Sequence, residues 1–501
     1  GNIASFTSGN ATNIPVVATV TVTPTYTNNS VACVGSTSAF TLTVNPRPVV
    51  PPQTATICSG TAFTISPTNS PSATIIPSGT TYTWTVAPNA NVTGQSDQGV
   101  GQSNISQTLT NTTSGVQTVT YTVTPTSGAA GNCVGSTFTV TVTVNPIATI
   151  ANKTVSTCSG TGFTLTPSNA GGDIVPSGTN YAWSTPVVTG SLSGGISATG
   201  QASIAGTLTN PTNTPQTATY TVTPRSGTCN GTTFTVVATI NPRPLVPNQT
   251  ATICSGEAFT ISPTNNAPTT IIPSGTTYTW TVVDNTSVTG ESNQATGQSS
   301  ISQTLTNNTN IVQTVTYTVT PRSGADGNCV GSTFTIVVTV NPKPVVPNQT
   351  ATICSGTAFS VLPINNPTAT IIPASTTYTW TVVDNVNVTG DAAQTIGVST
   401  IGQTLTNLTN TAQTVVYTVT PTSGAAGNCV GSTFTVTVTV SPRAAIANTT
   451  ATACSGSSFS VTPTNGTDIV PLGTTYAWSS LPVVTGGLTG GATASLQSSI
   501  N

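Results

Sequence analysis

Ten cysteines are the residues of this 501-residue chain best suited to chemistry, and their spacing repeats along the sequence. Five of them open a CSG tripeptide, and the other five lie near the end of the repeated segment. The two sets are Cys58, Cys158, Cys254, Cys354 and Cys454, and Cys33, Cys133, Cys229, Cys329 and Cys429. Zinc sites typically use C-x-x-C pairs, which are missing here. We therefore expect all ten cysteines to form disulfides, in an oxidising compartment.

Apart from the cysteines, the amino-acid composition argues against catalysis and against bound cofactors. Charged residues make up 3% of the chain, where an ordinary soluble domain has about 25%. Histidine is absent, and the nine acidic residues share no position that occurs in every repeat. General acid–base catalysis and serine nucleophiles need such groups, and calcium needs several oxygen ligands at one place. We predict that the chain is not an enzyme and holds no cofactor or metal ion.

The charge balance and the hydropathy also limit the partners. Seven scattered basic residues and a net charge of -2 are too few to bind nucleic acid through its phosphates. No apolar run approaches the ~20 residues that cross a bilayer. We expect no nucleic-acid partner and no membrane insertion of this segment. We expect the segment to contain no signal peptide and to be a mature part of something larger.

The elements that position the cysteines form a repeat of about 100 residues. An N-P or S-P joint recurs at Asn45, Asn145, Asn241, Asn341 and Ser441, and each repeat has one tryptophan. We predict four whole repeats, numbered one to four, at 47–146, 147–242, 243–342 and 343–442. Residues 1–46 match only the back of a repeat and residues 443–501 only the front. They are called the back fragment and the front fragment.

Each repeat alternates apolar residues with threonine, which is typical of half-buried strands. The segment STFTVTVTV (136–144) is one example. Short strands, breaks rich in Gly, Pro and Asn, and this repeat length predict an all-β fold of tandem immunoglobulin-like sandwiches. We expect the tryptophan of each repeat and a tyrosine of each whole repeat to lie in the core, and we interpret the tryptophans as core residues rather than as sugar-stacking platforms. These residues are Trp84, Trp183, Trp280, Trp380 and Trp478, and Tyr121, Tyr220, Tyr317 and Tyr417.

The proline-rich joints connect the last strand of one sandwich to the first strand of the next. Proline fixes φ and favours an extended conformation in the residue before it. We therefore expect short, semi-rigid joints and an extended rod. Sequons of the type N-x-S/T are frequent, and in a chain so rich in Asn and Thr they are interpreted as chance occurrences.

Two disulfide patterns are open. Cys58 and Cys133 belong to one repeat, and pairing within each repeat is the default interpretation. In a seven-strand sandwich, however, antiparallel alternation places the CSG turn and the second cysteine at opposite ends, farther apart than the ~7 Å between Cα atoms that a disulfide allows. The alternative joins neighbours, as Cys58–Cys229, Cys158–Cys329 and Cys254–Cys429, and leaves the other four cysteines to pair with preceding or following repeats.

Three segments resemble a known family. They are ICSGTAFTISP (57–67), IIPSGTTYTWTV (75–86) and GNCVGSTFTVTVTVNP (131–146). They resemble the PKD-like and immunoglobulin-like tandem repeats of very large cell-surface proteins of Bacteroidota, similar in style to gliding adhesins. The W-D-F-G-D-G signature of typical PKD domains is absent. The resemblance implies an extracellular or bacterial cell-surface location and export by type IX secretion.

Two alternative functions are compatible with these interpretations of the sequence. In the first, the repeats form a non-catalytic stalk or fibre that spaces a distal element from the cell. In the second, each repeat binds polysaccharide or a partner surface, and repetition supplies avidity. The predicted partners are the neighbouring repeats of the same chain and further copies, through lateral or head-to-tail association.

Overall fold

The computed structural model describes residues 5–70, 73–129, 131–324, 327–366, 369–424, 427–479 and 491–500. In these ranges the chain consists of strands, turns and loops, and no helix long and apolar enough to span a membrane occurs among them. The chain forms two compact units, Gly1–Pro242 and Arg243–Asn501. The first contains the back fragment and repeats one and two. The second contains repeats three and four and the front fragment.

Repeat one shows the architecture of a two-sheet sandwich. The back fragment before it supplies β1 (Val16–Val22), β2 (Thr25–Asn28), β3 (Val31–Val34) and β4 (Ser38–Val44). Repeat one itself has β5 (Gln53–Cys58), β6 (Thr61–Ile65), β7 (Thr81–Val86), β8 (Val92–Thr93), β9 (Gln98–Gln102), β10 (Ile105–Asn111), β11 (Gln117–Thr126) and β12 (Phe138–Asn145). One sheet has the order β5-β12-β11-β7-β9 and the other has the order β6-β10-β8. Strand β5 runs parallel to β12, whereas the other pairs are antiparallel.

Repeat two varies this plan slightly. Its strands are β13 (Lys153–Cys158), β14 (Gly162–Leu165), β15 (Asn180–Trp183), β16 (Val187–Val188), β17 (Ala198–Gln201), β18 (Ile204–Thr207), β19 (Gln216–Ser226), β20 (Cys229–Asn230) and β21 (Phe234–Asn241). The larger sheet follows β13-β21-β19-β15-β17, with β16 and β20 paired to β19. Strands β14 and β18 form the second sheet.

Repeats three and four have the same strand order as repeat one. Repeat three has β22 (Gln249–Cys254), β23 (Glu257–Ile261), β24 (Thr277–Val282), β25 (Val288–Thr289), β26 (Gln294–Gln298), β27 (Ile301–Asn307), β28 (Gln313–Arg322) and β29 (Phe334–Asn341). Repeat four has β30 (Gln349–Cys354), β31 (Thr357–Val361), β32 (Thr377–Val382), β33 (Val388–Thr389), β34 (Gln394–Val398), β35 (Ile401–Asn407), β36 (Gln413–Thr422) and β37 (Phe434–Ser441). The front fragment adds β38 (Tyr476–Trp478) and β39 (Ala494–Gln497), and its residues 480–490 lie outside the described ranges.

The alternation in the sequence decides which face of each strand is buried. In β12 the side chains of Val140, Val142 and Val144 are fully buried. The threonines between them face outward and meet threonines of the next strand, such as Thr120 opposite Thr141. A β-branched side chain suits this pleated surface, and its hydroxyl group can face water. The result is the predicted all-β fold of tandem immunoglobulin-like sandwiches.

Four cores fill the sandwiches, one in each whole repeat. The tyrosines at the centre are at most 1% exposed and the core tryptophans at most 7% exposed. They are Tyr121, Tyr220, Tyr317 and Tyr417, with Trp84, Trp183, Trp280 and Trp380. The expectation was wrong for Trp478, which is only half-buried. The strands that cover the matching tryptophans come from the back of the repeat, and residues 443–501 contain only the front.

Candidate functional site: the disulfide-linked joint

The CSG tripeptide forms a tight turn at the end of the first strand of each repeat. Cys58 is the last residue of β5, and Ser59 and Gly60 lead into β6. The φ of Gly60 is +81°, a region that residues with a side chain rarely adopt. Backbone hydrogen bonds hold the turn on both sheets, because the Ser59 N–H donates to Asn145 O and the Gly60 N–H to Leu109 O, each at 2.8 Å. The tripeptide thus places its cysteine at one end of the sandwich.

A buried asparagine locks this turn to the rest of the repeat. Asn111 is 4% exposed, and its backbone N–H donates to Ser59 Oγ at 2.9 Å. Its Nδ2 donates to Gly115 O at 2.7 Å and to Val144 O at 3.1 Å, while its Oδ1 accepts from the Thr113 N–H at 2.9 Å. Every polar atom of the side chain is therefore paired, as burial requires. We call Ser59 and Asn111 the Ser–Asn clasp.

The clasp recurs in the other whole repeats. Its members are Ser159 with Asn210, Ser255 with Asn307, and Ser355 with Asn407. Sequence reasoning missed these residues, although Asn followed two positions later by Thr was visible as an N-x-T sequon in most of them. Because both amide hydrogens of Asn111 are engaged, this sequon is a structural turn in the folded chain and its nitrogen is not available to a glycan.

The joint between repeats one and two is an ordered part of repeat two. Thr149 exchanges two backbone hydrogen bonds with Ile174, at 2.9 and 2.8 Å. The Thr232 N–H, in the loop that follows Cys229, donates to Ala148 O at 3.1 Å. The loop with the second cysteine therefore packs on the joint itself. Across the joint, Asn169 Nδ2 also donates to Ser114 Oγ at 3.3 Å.

A disulfide closes this joint. Cys58 of repeat one is bonded to Cys229 of repeat two, with Cα atoms 5.6 Å apart. Cys254 and Cys429 join repeats three and four in the same way, again with a Cα separation of 5.6 Å. In each case the CSG cysteine of one repeat meets the second cysteine of the next repeat. In the chain-entropy description, closing a loop this long stabilises the folded state by about 5 kcal/mol.

The within-repeat pairing is not formed, and the strand directions explain why. Cys58 lies opposite Asn145 at the end of β12, because β5 runs parallel to that strand. Cys133 precedes Phe138, the first residue of β12. An eight-residue strand places about 25 Å between these two ends, far beyond the reach of a disulfide.

The expectation that every cysteine is bonded does not hold within this chain. Cys33, Cys133, Cys354 and Cys454 are free thiols. The observed register explains this result, since it pairs a CSG cysteine with the next repeat and gives these four no partner among residues 1–501. Cys158 and Cys329 are each disulfide-bonded, and their pairing with one another stays a prediction.

Repeat two adds an ion pair beside its joint. Lys153 Nζ lies 2.6 Å from Asp173 Oδ2, and the carboxylate side chain is 3% exposed. The Ala151 N–H, in the joint, donates to Asp173 Oδ1 at 2.9 Å. Burial raises the pKa of Asp173, but the hydrogen bond from Ala151 and the charge of Lys153 outweigh it and hold the pKa below its usual value. The front fragment repeats part of this arrangement, since the Ala447 N–H donates to Asp468 Oδ1 at 2.8 Å.

The core aromatic side chains of the four whole repeats make contacts inside their own sandwiches. The Trp84 Nε1–H donates to Ser96 O at 3.1 Å. The Tyr121 O–H donates to Gln107 Oε1 at 2.8 Å, and its ring lies 5.3 Å from that of Phe63. Burial raises the pKa of Tyr121 well above its usual value near 10, and that of Tyr278 to about 12. These hydroxyl groups therefore stay protonated at physiological pH.

The described residues hold no cluster of three or more His, Cys, Asp or Glu side chains that would suit a metal ion. What the geometry does define is a class of protein: tandem β-sandwiches in which disulfides close the joint between repeats one and two and the joint between repeats three and four, as suits an extracellular location. The sequence model of the PKD-like domain family matches residues 55–148, 155–244, 251–344 and 351–444, more than half of the chain. The chain belongs to this family of PKD-like domains.

Among solved structures, the chain is similar to three that consist of several domains or fragments in tandem. The human Desmocollin-1 ectodomain is 14% identical, with a TM-score of 0.23, over 81% of this chain and 82% of that one. Sidekick-1 immunoglobulin domains 1–4 are 11% identical, with a TM-score of 0.18, over 78% and 97%. The titin I-band fragment I67–I69 is 8% identical, with a TM-score of 0.25, over 59% and 98%. No curated protein matches the sequence significantly.

Proposed function

We propose that this chain is a non-catalytic stalk or fibre segment of a large bacterial cell-surface protein, which holds a distal element away from the cell. The observation that carries the proposal is the Cys58–Cys229 bond across a joint that is itself hydrogen-bonded. A spacer must resist bending and separation at its joints, and a disulfide there supplies that resistance. The PKD-like domain is a non-catalytic domain type, in line with this role.

The near-identity of the repeats supports a spacer more than a set of binding modules. A recognition surface usually differs between repeats or presents aromatic side chains, whereas Trp84 and its counterparts in the whole repeats are buried. The resemblance to Bacteroidota surface proteins supports secretion by the type IX route. Self-association belongs to the same proposal, because a chain with only 3% charged residues has little electrostatic repulsion between copies.

Small-angle scattering of the full chain tests the stalk. If each of five repeat equivalents is as long as ~12 extended residues, a long strand with its turns, at about 3.3 Å per residue, each spans roughly 40 Å and the maximum dimension is on the order of 200 Å. The variant C58S/C158S/C254S, which lacks three CSG thiols, should give a more flexible particle. A compact particle of ordinary dimensions for 501 residues would contradict the proposal. Specific binding of the same chain to one glycan of an array would favour the binding module.

A further inference from the structure

Repeat one closes the turn at β8 with the side-chain amide of a glutamine. Gln95 Nε2 donates to Asn89 O at 2.6 Å and to Val92 O at 3.0 Å. The Oε1 atom of the same side chain accepts from the Asn89 N–H at 3.2 Å. Both carbonyl oxygens of the turn therefore face a hydrogen-bond donor, as polar groups shielded from water require.

Repeat three has a glutamate at the position of this glutamine. Glu291 Oε1 accepts from the Asn285 N–H at 3.1 Å, which reproduces the contact of Gln95 Oε1 in repeat one. The Val288 N–H donates to Asn285 O at 2.8 Å, and the turn of repeat one contains the same hydrogen bond. Because the turn and the first carboxylate oxygen match, Glu291 Oε2 takes the place of Gln95 Nε2, beside Asn285 O and Val288 O.

Three oxygen atoms therefore meet at this turn with no donor between them. Glu291 Oε2 is buried and has no hydrogen-bond partner among the described residues. A buried polar group without a partner costs free energy, and the cost is largest for a charged group. The exposed carboxylate of Asp284, next to Asn285 in the sequence, adds a second negative charge to the same turn. The turn thus lacks a positive charge that all three oxygens could contact.

A calcium ion fits the chemistry of these atoms. Ca²⁺ binds carboxylate and backbone carbonyl oxygens in a flexible geometry and completes its coordination shell with water. Mg²⁺ demands near-ideal octahedral geometry and gives up its water reluctantly, so carbonyl groups fixed in a turn suit calcium better. Thr286, Thr289 and Gly290 of the same turn are exposed, and water can therefore reach the site.

We propose that Glu291 binds a calcium ion together with the backbone carbonyl groups of Asn285 and Val288. The ion takes the place of the amide hydrogens of Gln95 and makes the stability of repeat three depend on calcium. The composition led us to expect no metal ion, but that expectation considered acidic side chains, whereas two of the three ligands here are backbone carbonyls. We expect a dissociation constant of about 10⁻⁴–10⁻³ M, the range of extracellular calcium modules.

Hydrogen exchange of the full chain tests the site. The chain is freed of metal with a chelator and titrated with calcium chloride at constant ionic strength, and peptides from β24 and β27 report on repeat three. Exchange through unfolding of this repeat should slow about tenfold when calcium reaches ten times its dissociation constant. Peptides from β7 and β10 are the control within the same molecule, because Gln95 already supplies the donors in repeat one. An unchanged repeat three, or an equal response of repeat one, would overturn the proposal.

Two reciprocal substitutions test the ligands themselves. E291Q restores the amide of repeat one and should abolish the calcium response without destabilising the calcium-free chain. Q95E should give repeat one the calcium response of repeat three. A response that persists in E291Q would contradict the role of Glu291, and a Q95E chain that does not respond would contradict the role of the carbonyl groups. Stability of repeat three that increases on acidification but not with calcium would show that a proton joins these oxygens, and would also overturn the proposal.

Discussion

Cys58 and Cys229 are separated by 171 positions in the sequence, yet their Cα atoms lie 5.6 Å apart across the joint between repeats one and two. The bond links the far end of one sandwich to the near end of the next. It therefore fixes the relation between two domains, whereas the disulfide of an antibody domain lies inside one core.

Removing this bond should destabilise both repeats that it joins. In C58S the loop that contains residues 59–228 is no longer closed, and we expect a loss of up to about 5 kcal/mol in the chain-entropy description. Hydrogen exchange in increasing denaturant, read from peptides of repeats one and two, measures the loss. C133S is the matched control, because Cys133 is already a free thiol. Equal effects of the two substitutions would contradict the prediction.

The disulfides should also limit how far the chain extends under tension. With both bonds intact, the covalent path from Cys58 to Cys429 crosses Cys229 and Cys254 and contains only about 25 backbone residues, or ~90 Å fully extended. After reduction the same interval contains about 370 residues, or ~1,300 Å. Single-molecule pulling with and without reductant measures both lengths. Long unfolding steps within this interval under oxidising conditions would disprove the pairing.

The Ser–Asn clasp should contribute strongly to stability. N111A removes two donated hydrogen bonds and leaves Gly115 O, Val144 O and the Thr113 N–H without this partner. We expect the free energy of unfolding of repeat one to fall by about 3 kcal/mol, since each buried polar group left without a partner costs about 1–3 kcal/mol. N91A, at an exposed asparagine in the same repeat, should change stability by less than about 0.5 kcal/mol. Hydrogen exchange of peptides from β10 and β12 measures both.

The central tyrosines should differ in the effect of losing their hydroxyl group. The Tyr121 hydroxyl donates to Gln107 Oε1, so Y121F should lower the free energy of unfolding by about 1 kcal/mol. The hydroxyl of Tyr417 is buried without a hydrogen-bond partner, and Y417F should be neutral or stabilising. Denaturant unfolding followed by exchange of peptides from β11 and β36 compares the two. A larger loss for Y417F than for Y121F would show that the hydroxyl contacts are assigned incorrectly.

Repeat two should lose stability in acid through one carboxylate. Asp173 is the only acidic residue of 147–242, and its pKa is lowered in the folded state. Its contribution is therefore present above the unfolded pKa near 3.8 and is lost as the pH falls through the lower folded value. Exchange of peptides from 147–158, corrected for the intrinsic pH dependence, should increase at low pH. In D173N this additional pH dependence should vanish.

Most of the fold, but only part of the joint, could be predicted from the sequence. Alternation predicted strands such as β12 because one face of each sheet is buried and the other faces water. The same reasoning about strand direction raised the between-repeat disulfide as an alternative, but only the parallel pairing of Cys58 with Asn145 places the cysteine at the joint. Local sequence does not encode which distant strands pair, so this step needed the structure.

The Ser–Asn clasp could not be predicted from the sequence, for a different reason. The N-x-T pattern occurs at the buried Asn111 and also at the exposed Asn91, so the pattern alone does not separate a structural turn from a surface loop. The ion pair of Lys153 with Asp173 could not be predicted either, since the two residues stand 20 positions apart in a chain with few charges. Both features depend on contacts made between strands distant in sequence.

The position of the disulfides bears on how the chain survives proteases outside the cell. A single cut anywhere within residues 59–228 leaves two pieces that Cys58 and Cys229 still hold together, and the Cys254–Cys429 bond does the same for residues 255–428. The predicted Cys158–Cys329 bond would protect the interval between them. With that third bond the enclosed segments would overlap along the sequence, so a chain cut once between Cys58 and Cys429 would remain one covalent molecule.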